Sequence, residues 1–238
     1  MPVNSIRIHG RKSFHKSHGL SLQPEKTGQM IRGLIVPHAG WVYSGKTAFL
    51  AFRHLDKIKP ERIALLGPAH AWPLQGMAMD SHDYWMTPLG EVSLFRDDYF
   101  PVHPESHQNE HALEVQMPFI SYYCKNASVL PLLVGKIDER KVRDIALHLS
   151  EKQYFIIIST DLSHFYSLSA ANERDLRSIE SIQNLSAQHV DACGINPLRI
   201  AMEYCKLNEL KPRLIDYTTS ADYSGIRSNV VGYASFYF

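Results

Sequence analysis

Four short apolar runs recur along the chain, each bounded by polar or turn-forming residues: "IRGLIV" from Ile31, "RIALLG" from Arg62, "SVLPLLV" from Ser128 and "YFIIIST" from Tyr154. Runs of this length, rich in Ile, Leu and Val on both alternations, read as strands buried on both faces. Between them the polarity period changes to that of helices. "SGKTAFLAFRHL" reads as a helix capped by Ser44, and "DERKVRDIALHLSE" as an amphipathic helix capped by Asp138. A further helix is expected from about Ala170 to Asn184. "NPLRIAMEYCKL" carries a start signature, with Asn196 at the cap and Pro197 in the first turn. "NEHALEVQMPFISYYC" is helical up to Pro118, which either kinks the helix or opens a second one. Gly76 to Phe95 suggests shorter strands or a hairpin around "TPLGEVSL", with Pro88 and Gly90 at the turn, and "RLIDYT" and "VVGYASFYF" close the chain as strands. Residues 1–30 are polar and irregular, broken by Gly19, Pro24 and Gly28. The alternation predicts an α/β fold: one domain over residues 1–238, with a central, largely parallel or mixed sheet and helices on both faces.

Composition narrows the partners. A net charge of +1 gives no electrostatic case for nucleic acid. No apolar run approaches the ~20 residues of a spanning helix, and the basic amino terminus lacks a signal-peptide core, so a soluble, cytoplasmic protein without membrane contact is expected. Cys124, Cys193 and Cys205 are too few and too odd in number for a secreted framework and read as free thiols. Thirteen histidines are the unusual feature. His9, His15 and His18 fall in the polar amino-terminal segment and read as solvated.

Three apolar runs end in candidate chemistry. "LIVPHAG" delivers His38, "LLGPAH" delivers His70, and "FIIISTDLSH" delivers Asp161 and His164. In open α/β sheets ligands bind beyond the carboxyl ends of the strands, so neighbouring strands would converge these groups on one rim. A single histidine after a strand is more often structural; three such ends in one chain are harder to assign to chance, and neutral imidazole is a common metal ligand. Cys193, in "ACGINP", lies just before a helix start, where the helix dipole favours thiolate; the alternative is a small buried hydrophobe, the reading applied to Cys124 and Cys205. In "EHALE", His111 and Glu114 stand three apart, on one face of a helix, either as an acid/base pair in a pocket or as a solvated helix start with Glu110. His54, His82, His103, His107, His148 and His189 carry no assignment.

Taken in order, "VPHAGWVYSG", "LLGPAH", "EHALEVQMPF", "LPLLVG", "STDLSHF" and "ACGINPL" resemble the Memo family, which is itself similar to the class III extradiol dioxygenases, non-haem iron enzymes that open catechol rings. The resemblance runs from about Ile31 to the carboxyl terminus. It implies the dioxygenase-like fold, with His38, His70 and Cys193 as metal ligands and the cysteine standing where the dioxygenases carry a glutamate. It implies His164 as the acid/base residue, Asp161 on the same loop, and His111, Glu114 and Tyr43 around a substrate pocket. The implied cofactor is a transition-metal ion, iron(II) first, with copper or zinc as alternatives because thiolate is a softer donor than carboxylate. The implied ligand is a small molecule or a peptide, and an AMMECR1-type domain and a radical-SAM protein are implied partners. The chain departs from the family in its short amino terminus and in an abbreviated stretch between Arg177 and Cys193.

Three functions stay open at this level. The first is metal-dependent redox or oxygenase-type chemistry at the His/His/Cys site. The second is capture of a phosphorylated or anionic peptide without catalysis, and the third a metal-free hydrolase using Cys193, His164 and Asp161.

Overall fold

Strand residues of opposite parity enter opposite layers. In the strand Phe155–Ser159, Phe155 and Ile157 pack on one side while Ile156 and Ile158 pack on the other. Leu34 and Val36 likewise join the first layer and Ile35 the second. Both faces being apolar, the sheet must be covered twice, and it is. A computed structural model describes residues 30–238, whose compact unit is Ile31–Phe238. The reading of residues 1–30 as irregular lies almost entirely outside the described residues.

In chain order the elements are β1 (Gly33–Val36), α1 (Trp41–Phe52), α2 (Leu55–Ile58), β2 (Arg62–Pro68), β3 (Met77–Met79), β4 (Tyr84–Thr87) and β5 (Gly90–Leu94). There follow α3 (Met117–Tyr123), β6 (Ser128–Val134), α4 (Glu139–Lys152), β7 (Phe155–Ser159), β8 (His164–Tyr166) and α5 (Leu168–Gln183). The chain ends with α6 (Ile195–Leu207), β9 (Arg213–Thr219), α7 (Ala221–Ser224) and β10 (Val230–Tyr237). One sheet runs β4-β5-β6-β2-β7-β1-β10-β8, with β3 added on β6 and β9 on β10. Its middle, from β5 through β6, β2 and β7 to β1, is parallel; β10 and the flanking strands are antiparallel. The expected mixed α/β sheet is therefore present. Residues of α1 and α3 fill one layer, and residues of α4, α5 and α6 the other. No helix among the described residues is long and apolar enough to cross a membrane.

Asp138 caps α4 as expected, its carboxylate accepting from Lys141 N–H at 2.8 Å. Two other caps differ from the sequence reading. Helix α1 begins three residues before Ser44: the Tyr43 N–H bonds Gly40 C=O at 2.8 Å, and the buried Ser44 hydroxyl instead donates to Ala39 C=O at 2.8 Å. Helix α6 begins at Ile195, with Gly194 at its cap. Asn196 lies inside its first turn, where its amide donates to Gly135 C=O at 2.7 Å. Gly194 holds the cap because the chain runs against β7 there. A Cβ on it would lie 2.6 Å from the Thr160 Cβ, while its N–H reaches Thr160 Oγ1 at 2.9 Å. Of the two alternatives at Pro118 the second holds: it stands in the first turn of a new helix, α3, while the segment before it, expected to be helical, forms only a short 3-10 turn at Glu114–Gln116.

Candidate metal centre

Strands β2, β7 and β1 are neighbours, in parallel register, with Leu66 opposite Ile158 and Val36 opposite Ser159. Their carboxyl ends therefore lie side by side, and His38, Asp161 and His70 each stand two residues past them. The three histidine-bearing or acid-bearing ends predicted from the apolar runs thus meet on one rim. A third imidazole joins them: His111, which precedes the 3-10 turn, has its ring centroid 5.4 Å from that of His38 and 5.3 Å from that of His70, with His38 and His70 also 5.3 Å apart. One nitrogen of each ring lies within 4.8 Å of the other two. His38 is buried, whereas His70 and His111 are exposed, so the cluster has a sealed floor and an open mouth.

Hydrogen bonds fix how two of the rings point. The Ser159 hydroxyl donates its only proton to Ala112 C=O and accepts from Gln116 Nε2 at 2.9 Å, so His38 Nδ1, 3.0 Å away, must be the donor in that contact. The lone pair of His38 is then on Nε2. Burial foremost, with the neighbouring His70 and His111 next, lowers the His38 pKa to about 3 and keeps the ring neutral. At His70, Nδ1–H donates to Glu110 Oε1 at 3.1 Å, so Nε2 is the nitrogen left for the cluster. Glu110 is buried and also accepts from the backbone N–H groups of His70, Ala71 and Ala112. Burial alone raises its pKa, but the hydrogen bonds from His70 and these amides outweigh that and hold it at about 2. The His70 pKa is raised to about 10, first by the bond to Cys193 and then by the one to Glu110.

Cys193 reaches the cluster from the residue before the α6 cap. Its Sγ is 3.3 Å from His38 Nε2 and accepts the Asp161 N–H at 3.3 Å. Asp161 itself is buried behind the cluster, where Oδ1 accepts the His38 N–H at 2.7 Å; burial pushes its carboxyl up to about 7. His164 lies on the short strand β8, which the sequence pattern did not reveal. Its Nδ1–H donates to Leu162 C=O at 2.8 Å, so Nε2 is the nitrogen that the ring keeps free for another partner. Tyr43 and Glu114 are exposed.

Two parts of the sequence reading are corrected by these contacts. His111 and Glu114 do not share a helical face, because His111 precedes the 3-10 turn that Glu114 opens. The proposed chain of Cys193, His164 and Asp161 is not assembled either: the Asp161 carboxylate is spent on His38 N–H, and His164 Nδ1 on Leu162 C=O. Sequence reasoning also missed Glu110, Ser159 and Gln116. Glu110 was read only as a solvated helix-start residue, and its one legible signal is adjacency to His111.

Glu110 yields a direct expectation. A carboxylate behind a ligating imidazole orients the ring and raises its basicity, and its loss typically costs ~10–100-fold in metal affinity. Glu110→Gln is expected to weaken metal binding by that amount at alkaline pH. The loss narrows as pH falls, because the same carboxylate also strengthens the proton that competes for His70. Competition titration against a chelator from pH 7 to 11 reads both; a pH-independent or absent loss counts against the role.

A family model described as Memo-like protein matches residues 11–237. MEMO1 family proteins are similar over most of their length: one from Nitrosopumilus maritimus is 31% identical, covering 87% of this chain and 84% of the relative. One from Methanobrevibacter smithii is 31% identical over 85% of this chain and 81% of the relative. One from Aquifex aeolicus is 30% identical over 87% and 85% respectively.

Proposed function

The chain belongs to the Memo family, and from that premise we propose that it binds one transition-metal ion through His38, His70 and Cys193 and performs redox or oxygenase-type chemistry on a small substrate. The observation that carries this reading is the double lock on ring orientation: Ser159 and Glu110 each take the Nδ1 proton of a histidine, so Nε2 is the nitrogen each ring offers an ion, His70 once it gives up its second proton. Two imidazoles and a thiolate form a donor set that suits iron(II), copper or zinc. When bound, the ion would supply Lewis-acid or electron-transfer chemistry at the open mouth.

The chain's own groups would do the rest. Asp161 holds the backbone of His38 from behind, and the Asp161 N–H holds the Cys193 sulfur in place. His164, with Nδ1–H committed to Leu162 C=O and Nε2 left free, is suited to taking or returning a substrate proton. His111, Glu114 and Tyr43 line the approach in this proposal. Cytoplasmic residence and assembly with an AMMECR1-type domain and a radical-SAM protein belong to the same proposal.

A second reading, capture of a phosphorylated or anionic peptide without turnover, draws support from the open mouth itself. His70 there is partly exposed and held protonated, so a metal-free site presents a cation to solvent.

Metal analysis of protein purified without chelator tests the first reading, with about one equivalent of iron, copper or zinc expected. No binding of any of these ions on titration would overturn it. Ring opening of simple catechols is expected to be weak, because a thiolate alters the electronics of iron(II) and is itself oxidisable. Oxygen uptake with catechol in the iron-loaded protein measures this; fast, metal-dependent cleavage would show that the cysteine behaves as the dioxygenase carboxylate does.

A further inference from the structure

The site holds four nitrogen or sulfur donors where the proposed ligand set uses three. His38, His70 and His111 place one nitrogen each within 4.8 Å of one another, and the Cys193 sulfur stands 3.3 Å from His38 Nε2. Tetrahedral ligation at about 2.0–2.1 Å requires nitrogens about 3.4 Å apart, so a small inward movement of His111 brings it into range. The four donors are not equally constrained. His38 and His70 are locked by Ser159 and Glu110. Cys193 is held by the Asp161 N–H. His111 is exposed, and its Nδ1 lies 3.6 Å from Glu110 Oε1, beyond hydrogen-bond reach. That oxygen already receives His70 Nδ1–H and the Ala112 N–H.

We propose that His111 and Cys193 are exchangeable third ligands around the fixed pair His38 and His70, giving one centre two overlapping donor sets. This rests on the proposed metal-binding function and adds the part played by His111. The chemical consequence follows from softness. With Cys193 the set is two imidazoles and a thiolate, which favours a soft ion such as copper(I). With His111 it is three imidazoles, which suits a borderline divalent ion such as nickel(II), and the thiol is left unligated. That no hydrogen bond from the described residues fixes the His111 ring is what permits the exchange: a ring locked like the other two would impose a single set.

Two probe ions and two substitutions test this. Copper(I) and nickel(II) affinities are measured by competition with chromogenic chelators in the intact protein and in Cys193→Ser and His111→Ala. Cys193→Ser should lose about 100-fold or more for copper(I) and change little for nickel(II), and His111→Ala should lose about tenfold or more for nickel(II) and change little for copper(I). This crossed pattern supports exchange. Equal losses for both ions in either variant, or no effect of His111→Ala on either ion, would overturn it. Circular dichroism establishes that each variant folds, with Cys193→Ala and His111→Asn as replacements if one does not. If the unsubstituted protein binds neither ion and also neither iron(II) nor zinc, it is the metal-binding reading itself that fails; binding of iron(II) or zinc alone, or an uncrossed pattern with normal binding, sinks only the exchange.

Discussion

Replacing His38 and His70 together with alanine is expected to remove metal binding altogether. Ser159 and Glu110 fix these two rings from their opposite nitrogens, and the loss of both rings leaves only the unlocked His111 and Cys193 as donors, too few to hold an ion. A structural zinc site with four ligands is worth roughly 10–16 kcal/mol at neutral pH, or about 2.5–4 kcal/mol per ligand, and two ligands lost correspond to about 10⁴-fold or more. His38 and Cys193 lie together on the floor, so losing His38 also strands the sulfur at one side. Elemental analysis and chelator competition measure the result; full stoichiometry in the double variant would place the site elsewhere. The intact protein carries its own pH signature. With the metal-free His70 pKa raised to about 10, binding an ion must expel the His70 proton at any lower pH. Affinity therefore rises with pH, by about tenfold per unit for one proton released, and flattens only near that value.

How much of this site can be read from the sequence depends on how local each cause is. The strand ends are legible because β1, β2 and β7 are apolar on both alternations, and a run that must stop at Pro37 or Pro68 announces where its next histidine will stand. That these strands are adjacent is not local information; the sequence supports it only through the general habit of parallel sheets. Cap positions fail for a related reason. Ser44 and Asn196 are good capping residues, but Gly194 is preferred at α6 because a tertiary neighbour, Thr160, leaves no room for a side chain. The placement of His111 is least legible. Spacing puts it on a helix with Glu114, yet Glu110 is buried against the backbone and ring of His70, 40 residues away in sequence, and this contact holds the segment in an irregular path that turns His111 toward the cluster. No pattern within "NEHALE" encodes that pairing.

His164→Ala is expected to separate binding from turnover. Four residues beyond Thr160, His164 sits on β8 paired with β10 through Val231, rather than on the rim formed by the ends of β1, β2 and β7. Its ring falls outside the group of imidazoles whose nitrogens lie within 4.8 Å of one another, so it is placed beside the cluster rather than in it. The bond from Nδ1–H to Leu162 C=O fixes its tautomer and leaves Nε2 able to accept a proton, which is the state a general base requires. Loss of the ring should therefore leave metal affinity close to that of the intact protein and lower turnover on whatever substrate proves competent by about 10²–10⁴-fold, the range typical of general acid/base help. His70→Ala should lose affinity and turnover together. Iron(II) dissociation constants for the two variants, measured beside single-turnover rates, decide between the roles. A loss of iron(II) affinity in His164→Ala equal to that in His70→Ala would make His164 a ligand, and unchanged turnover would reduce it to a support for the loop.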